Sequence, residues 1–295
     1  MGLQRLSHAE LRVNDLEAAV NFHTATMGLV ELVREDGRIY FGCGPGVYDV
    51  ALRQGGTGVE RFALSADDED DLLRFAMTFT QIGVAHKMMS DPEPGVVKAL
   101  RFQLPAGHNV DIATLSERTH YANPAHPSDR RTSIGAPIDL DHITLRVGER
   151  LEPTMDFLRD VLGFRCSDIV EFPNGDPMAT WMHVGDYHHD VAAFVGGPGQ
   201  TLDHLAWTMS SIDHIKSALD RIGRDAIAIE AGPGRHAVGG DIYAYLWAPG
   251  GNRYELSTEM PRAVDRRAPA IRWKDPTKTF SAWGAPFPES FKSGS

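Results

Sequence analysis

The chain repeats itself, and an internal duplication constrains the fold more than any single element does. Residues 5–29, RLSHAELRVNDLEAAVNFHTATMGL, run parallel to residues 139–164, DLDHITLRVGERLEPTMDFLRDVLGF. In both, a short alternating strand carrying a histidine leads into an amphipathic helix that a glycine stops. The correspondence continues along the chain. VYDVALRQGG (47–56) answers to HHDVAAFVGG (188–197), setting Asp49 against Asp190. The stretch 59–83 answers to 202–223, setting Arg61 against His204, and LPAGHNVDIAT (104–114) answers to APGGNRYELST (248–258), setting Asp111 against Glu255. The offset grows from 134 residues at His8 and His142 to 144 at Asp111 and Glu255, as loop insertions would produce.

Each half reads as a strand, a helix and about three strands, performed twice. Helices are expected near 15–26, 67–82, 151–162 and 211–222, between groups of short alternating strands. Hairpin-joined strands with so few helices argue against a doubly wound parallel sheet. The expected fold class is α+β, with two tandem modules, each of paired βαβββ units curling into a barrel-like cavity. The divisions are an N-terminal module over 1–120, a linker over 121–138, a C-terminal module over 139–260 and an extension over 261–295. The linker lies in a polar stretch with Pro124, Pro127 and Pro137. The extension holds Trp273, Phe280, Trp283, Phe287 and Phe291, too many aromatics for a free tail, so it is expected to pack on the body or on a neighbouring subunit. A homo-oligomer is the corresponding expectation.

Composition excludes several classes. With 295 residues, 42% of them hydrophobic, the chain is long enough for two packed modules. No segment approaches the roughly 18 apolar residues that span a bilayer, and the start, MGLQRLSHAELRV, does not resemble a signal peptide. A cytoplasmic protein without a membrane partner is expected. A net charge of -11 with no basic patch disfavours nucleic acid as a partner. Cys43 and Cys166 are expected to be reduced, and the acidic run Asp67–Asp71 to be a solvated helix start.

Equivalent inward positions of a duplicated barrel point into one cavity. In the C-terminal half these positions carry His142, His204 and Glu255. A single histidine on a strand is more often a hydrogen-bonded structural residue than a ligand. Three such residues at duplicated places, the first two in the shared context Leu-Asp-His, make a different case. Two neutral imidazoles and one carboxylate suit a divalent first-row metal and leave coordination positions open. The N-terminal half offers His8, Arg61 and Asp111 instead. A guanidinium cannot shed its proton to bind a metal, so that half is expected to be metal-free.

The stretch 234–257, GRHAVGGDIYAYLWAPGGNRYELS, brackets a strand and a Pro-Gly-Gly-Asn turn between His236 and Glu255. It resembles the signature of the type I extradiol ring-cleavage dioxygenases of the vicinal oxygen chelate superfamily, which includes catechol 2,3-dioxygenases and dihydroxybiphenyl dioxygenases. Gly234, His236, Tyr245, Ala248, Pro249, Gly251 and Glu255 fill that signature, with nine residues from His236 to Tyr245 and ten from Tyr245 to Glu255. Ala244 departs from it, standing where a larger aliphatic is usual. The resemblance extends over residues 5 to 258.

What the resemblance implies is extradiol cleavage of a catechol-type diol by O2 to a 2-hydroxymuconic semialdehyde-type product, at ferrous iron or, less often, manganese. His142, His204 and Glu255 match the metal ligands. His189 matches the histidine beside bound oxygen, while His188 is expected to point to the opposite face of a strand as ordinary surface or core. His236 and Tyr245 match the acid-base pair around the catechol hydroxyls. Some members carry Asp three residues after that histidine, where this chain has Gly239. Two alternatives share the fold: a 4-hydroxyphenylpyruvate-type dioxygenase, which does not require His189, His236 and Tyr245, and a non-catalytic small-molecule binding protein.

Overall fold

The computed structural model describes residues 2–44, 48–116 and 135–295. Residues 121–134 of the expected linker therefore lie outside the described residues.

The first βαβββ unit comprises β1 (Leu3–Val13), α1 (Leu16–Asn21), β2 (Val30–Glu35), β3 (Arg38–Gly42) and β4 (Val50–Gln54). The second comprises β5 (Val59–Ala66), α2 (Glu69–Ile82), β6 (His86–Glu93), β7 (Val96–Gln103) and β8 (Asn109–Leu115). The pattern recurs as β9 (Asp139–Arg146), α3 (Glu152–Asp160), β10 (Arg165–Glu171), β11 (Pro177–His183) and β12 (Val191–Phe194). It closes with β13 (Leu202–Thr208), α4 (Ile212–Arg224), β14 (Ile229–Arg235), β15 (Ile242–Ala248) and β16 (Asn252–Thr258). A short β17 (Ile271–Trp273) follows in the extension.

The strands form two curled sheets, ordered β2-β3-β4-β1-β5-β8-β7-β6 and β14-β15-β16-β13-β9-β12-β11-β10-β17. In each, an antiparallel central pair joins the two units, β1 with β5 and β9 with β13. The first strand of every unit runs parallel to its last, as β9 does with β12 and β13 with β16.

Helix limits follow from local chemistry. Asp68 caps α2 by accepting the Asp71 amide at 2.9 Å, with acids in the first turn, a contribution of about 1 kcal/mol. Gly83 ends that helix in the left-handed region at φ 74°, which a side chain would resist. Strand alternation then sorts the faces. Ile143 and Leu145 of β9 enter the main apolar core, while His142, Thr144 and Arg146 are turned to the opposite, concave side.

The main core is continuous across both modules. Phe79 and Phe102 of the first module meet Phe157 of α3, with ring centroids 6.2 and 5.9 Å apart, and buried His23 hydrogen-bonds the Tyr254 hydroxyl at 2.6 Å.

The extension packs on its own chain. β17 pairs in parallel with β10, and the backbone of Ser295 exchanges hydrogen bonds with Leu202 at 2.7 and 2.8 Å. Cys43 and Cys166 form no disulfide. No helix among the described residues is long and apolar enough to cross a membrane.

Candidate metal centre

The concave side of the second sheet encloses a cavity of about 720 Å³. His142 on β9, His204 on β13 and Glu255 on β16 meet there, on three strands that adjoin in the order β16-β13-β9. An irregularity in the β9–β13 register between Leu202 and His204 re-aims β13, so that His204 faces the cavity while Leu202 and Leu205 both stay in the core.

The three side chains converge closely. Glu255 Oε2 stands 3.1 Å from His142 Nε2 and 3.1 Å from His204 Nε2, and the two Nε2 atoms are 3.3 Å apart. Each imidazole is braced through its other nitrogen by the preceding aspartate, Asp141 at 3.1 Å and Asp203 at 2.7 Å. Such bracing places the proton on Nδ1 and leaves Nε2 as a lone pair. Two lone pairs and a carboxylate oxygen facing one another need a proton or a cation between them. Without a metal the proton serves: burial opposes charge on His142, but Asp141 and Glu255 outweigh it and push its pKa up to about 10. Among the described residues Glu255 Oε1 is buried without a hydrogen-bond partner, and His236 Nε2 stands 3.5 Å from it. Burial works to raise the Glu255 carboxyl, yet His142, His204 and His236 hold it well below the usual carboxylate range. The donor set, its charge and its braces fit a divalent first-row ion.

Beside this trio, β15 places Tyr245 directly across from Glu255. His236 follows β14 and reaches the Tyr245 hydroxyl with Nε2 at 2.9 Å, while its Nδ1–H donates to the Phe280 carbonyl at 2.7 Å. Burial, then Glu255 and Asp241, raise the Tyr245 hydroxyl well above its ordinary value, so it stays a phenol and donates to His236. Burial opposes charge on His236, and Asp241 and Glu255 together outweigh it. On another side His189 lies against His142, ring centroids 4.1 Å apart and planes tilted by 52°. Burial, reinforced by His142 and His188, keeps that imidazole neutral. All six expected site residues line one cavity.

Several neighbours were not foreseen. Asp241 is buried and groups with His236 and Glu255, so a carboxylate does stand near His236 although the third position after it is Gly239. The aspartates behind the ligands had a sequence signal, the repeated Asp-His dipeptide. The expectation for His188 requires correction. It lies before β12 begins, not on a strand, and its ring bonds His189 and Asp168. The extension supplies Phe280, Phe287 and Phe291 to the cavity wall, where the Phe287 ring lies parallel to His236 at 5.9 Å.

At the place in the first module that corresponds to His204 stands Arg61. Arg61 Nη2 pairs with Glu93 at 2.6 Å and Glu10 at 3.0 Å, and its Nε with Asp111 at 3.2 Å. Asp111 also takes a two-pronged contact from Arg101, its cross-strand partner, at 2.8 Å each. A fixed guanidinium thus occupies the place of a cation.

The sequence matches the family described as the Glyoxalase/Bleomycin resistance protein/Dioxygenase superfamily over residues 5–112 and 139–256. Among its relatives is a metapyrocatechase of Pseudomonas sp. (strain CF600), 29% identical over 267 residues, spanning 86% of each chain. A manganese-dependent 2,3-dihydroxybiphenyl 1,2-dioxygenase of Geobacillus genomosp. 3 is 27% identical, covering 92% of this chain and 90% of that one. An iron-dependent extradiol dioxygenase of Rhodococcus jostii (strain RHA1) is 23% identical, covering 90% and 92%. Among solved structures, the anaerobic substrate complex of homoprotocatechuate 2,3-dioxygenase from Brevibacterium fuscum superposes with a TM-score of 0.85 at 26% identity, covering 98% of this chain and 91% of that one.

Proposed function

We propose a function from the premise that this chain belongs to the Glyoxalase/Bleomycin resistance protein/Dioxygenase superfamily: it is an extradiol dioxygenase that opens a catechol-type ring beside its two hydroxyls with O2. The product is of the 2-hydroxymuconic semialdehyde type and takes up both oxygen atoms. The observation that carries this reading is the convergence of His142, His204 and Glu255 in one cavity with His189, His236 and Tyr245.

His142, His204 and Glu255 would hold the ion, iron(II) or manganese(II), through two imidazole nitrogens and a carboxylate oxygen. When bound, the ion supplies Lewis acidity and a path for electron density between the diol and dioxygen. The chain's own groups handle protons and position. Tyr245, kept as a phenol, and His236, anchored through Nδ1 by the Phe280 carbonyl, offer a donor and a base to the diol hydroxyls. Asp241 steadies the positive charge on His236 once it has taken a proton. His189 offers its cavity-side nitrogen to the oxygen side, where a placed hydrogen-bonding group is typically worth about 3 kcal/mol at the transition state. Trp181, Phe194, Val238 and the phenylalanines of the extension line the same cavity and exclude water. That apolar lining favours a diol whose ring carries an apolar substituent.

The test is oxygen uptake by anaerobically purified, iron-loaded protein presented with a panel of substituted catechols. Uptake matched by a yellow ring-opened product supports the reading; no uptake, or uptake without that product, removes it. A cytoplasmic setting belongs to the same reading, since two cysteines that form no disulfide fit a reducing compartment, and activity in the soluble fraction after lysis tests it. So does a homo-oligomer, supported by exposed Val264, Ile271 and Trp283 on the extension; a monomeric mass in light scattering would end that part.

A further inference from the structure

We infer that His188, held by Asp168, is a positioning residue that fixes the tautomer and ring orientation of His189 at the cavity wall. The inference rests on the placing of His189 in the proposed site.

The geometry is a chain of hydrogen bonds that begins outside the cavity. Asp168, on β10, is buried and has both carboxylate oxygens engaged: Oδ1 accepts the indole N–H of Trp273 at 2.5 Å, and Oδ2 stands 2.5 Å from His188 Nε2. A carboxylate that already receives an indole proton acts as an acceptor, so the proton between it and His188 lies on Nε2. The other ring nitrogen of His188, Nδ1, lies 3.0 Å from His189 Nδ1. One of these two nitrogens must bring the proton and the other the lone pair, so the Asp168–His188 pair fixes which nitrogen of His189 is protonated and hence what its Nε2 offers the cavity. An aspartate thus orients one imidazole and, through it, a second, by the logic of a carboxylate behind a catalytic histidine.

The surrounding structure clamps His188 itself. Its amide donates to the Pro261 carbonyl at 2.9 Å, and its carbonyl accepts from the Ser167 hydroxyl at 2.6 Å. Gly239, in the left-handed region at φ +76°, leaves room for the ring. A Cβ there would stand 3.3 Å from His188 Nδ1 and 2.9 Å from Asp241 Oδ1. The absence of a side chain at 239 and the presence of an imidazole at 188 are therefore one arrangement. Trp273 lies on β17, so the extension completes the support from the edge of the sheet.

The experiment has two arms. In metal-free protein labelled with 15N-histidine, two-bond nitrogen–proton correlations report each ring's tautomer, with the His189 signals assigned by their loss in His189→Asn. The expected result is a single His189 tautomer in the parent protein and a mixture of tautomers in His188→Asn and Asp168→Asn. In iron-loaded protein the same variants should raise the KM for O2 by about 10- to 100-fold, the range for removing a group that orients a site residue, with the KM for the diol nearly unchanged. Trp273→Phe, which keeps an aromatic ring and withdraws one donor from Asp168, should shift the tautomer in the same direction by less, and it serves if Asp168→Asn fails to fold. A mixture of His189 tautomers in the parent protein, or an unchanged tautomer in His188→Asn, overturns the inference. The spectra need neither metal nor turnover, so they decide it even if no diol is cleaved.

Discussion

The Nε2 atoms of His142 and His204 face each other across 3.3 Å, and the Nδ1 of each is tied to the aspartate immediately before it in the chain. Two imidazoles so braced, with Glu255 Oε2 at 3.1 Å from both, form a receptor for a cation. His204→Ala and Glu255→Gln should each abolish retention of iron or manganese by the purified protein. Asp203→Asn, which withdraws one brace, should weaken metal affinity by about 10- to 100-fold. Metal analysis and a competitive chelator titration check both. In addition, metal held at about 100 times its Kd should stabilise the fold by about 2.7 kcal/mol, and a chelator should reverse the rise in Tm. A Tm indifferent to metal would count against the site.

Tyr245→Phe removes one hydroxyl and keeps the ring, which packs edge-on against Phe291 at a centroid distance of 4.8 Å. The hydroxyl is the donor to His236, so the variant should fold and bind metal normally while kcat falls by about 100- to 10,000-fold. Steady-state kinetics beside metal content separate the two effects. A kcat within twofold of the parent enzyme would take Tyr245 out of the chemistry.

Arg61 stands among Glu10, Glu93 and Asp111, with little solvent contact. Arg61→Met withdraws a cation shared by three buried carboxylates and should cost about 3–5 kcal/mol of stability. Denaturant titration measures the loss. Metal content per folded molecule should not change, because the cluster lies in the other module. A metal content that falls with the stability would refute the separation of the two modules' roles.

His23 is fully buried between Ala19 and Tyr254, hydrogen-bonded to both at 2.6 Å. Burial, partly offset by the Ala19 carbonyl, lowers its pKa from 6.5 to about 4. The unfolded chain therefore takes up a proton between pH 6.5 and 4 that the folded chain refuses. The stability this group contributes is complete above pH 6.5 and drains away as pH falls towards 4, by up to about 3 kcal/mol. His23→Gln should flatten the pH profile of unfolding free energy over that interval. If both proteins lose stability in parallel there, His23 is not the group responsible.

Phe287 lies parallel to His236 at 5.9 Å and stacks on Tyr243 at 5.1 Å. Phe287→Ala opens the cavity wall and withdraws aromatic contacts worth about 0.5–1.5 kcal/mol, so the KM for an alkyl- or aryl-substituted catechol should rise by about 2- to 10-fold. Unsubstituted catechol should feel less of the change. Equal effects on both would mean that the extension does not read the substituent.

The duplication, the four helices and the shared inward face of His142, His204 and Glu255 were legible in the chain because each is a matter of local pattern. Alternation fixes which strand residues share a face, and a repeated module transfers a position from one half to the other, as His8 does for His142 and Arg61 for His204. The Tyr245–Glu255 pairing also lay within reach, since a short turn sets the register of its hairpin. What the sequence left open depends on contacts between segments with no common period. Asp168, His188 and Trp273 are separated by long stretches of chain, and only the parallel pairing of β17 with β10 brings the indole to the carboxylate. His188 was misjudged for the same reason: alternation applies only within a strand, and it precedes β12. Asp241 and the phenylalanines of the extension likewise acquire their places through side-chain packing, which depends on shape in three dimensions and leaves no periodic trace along the chain.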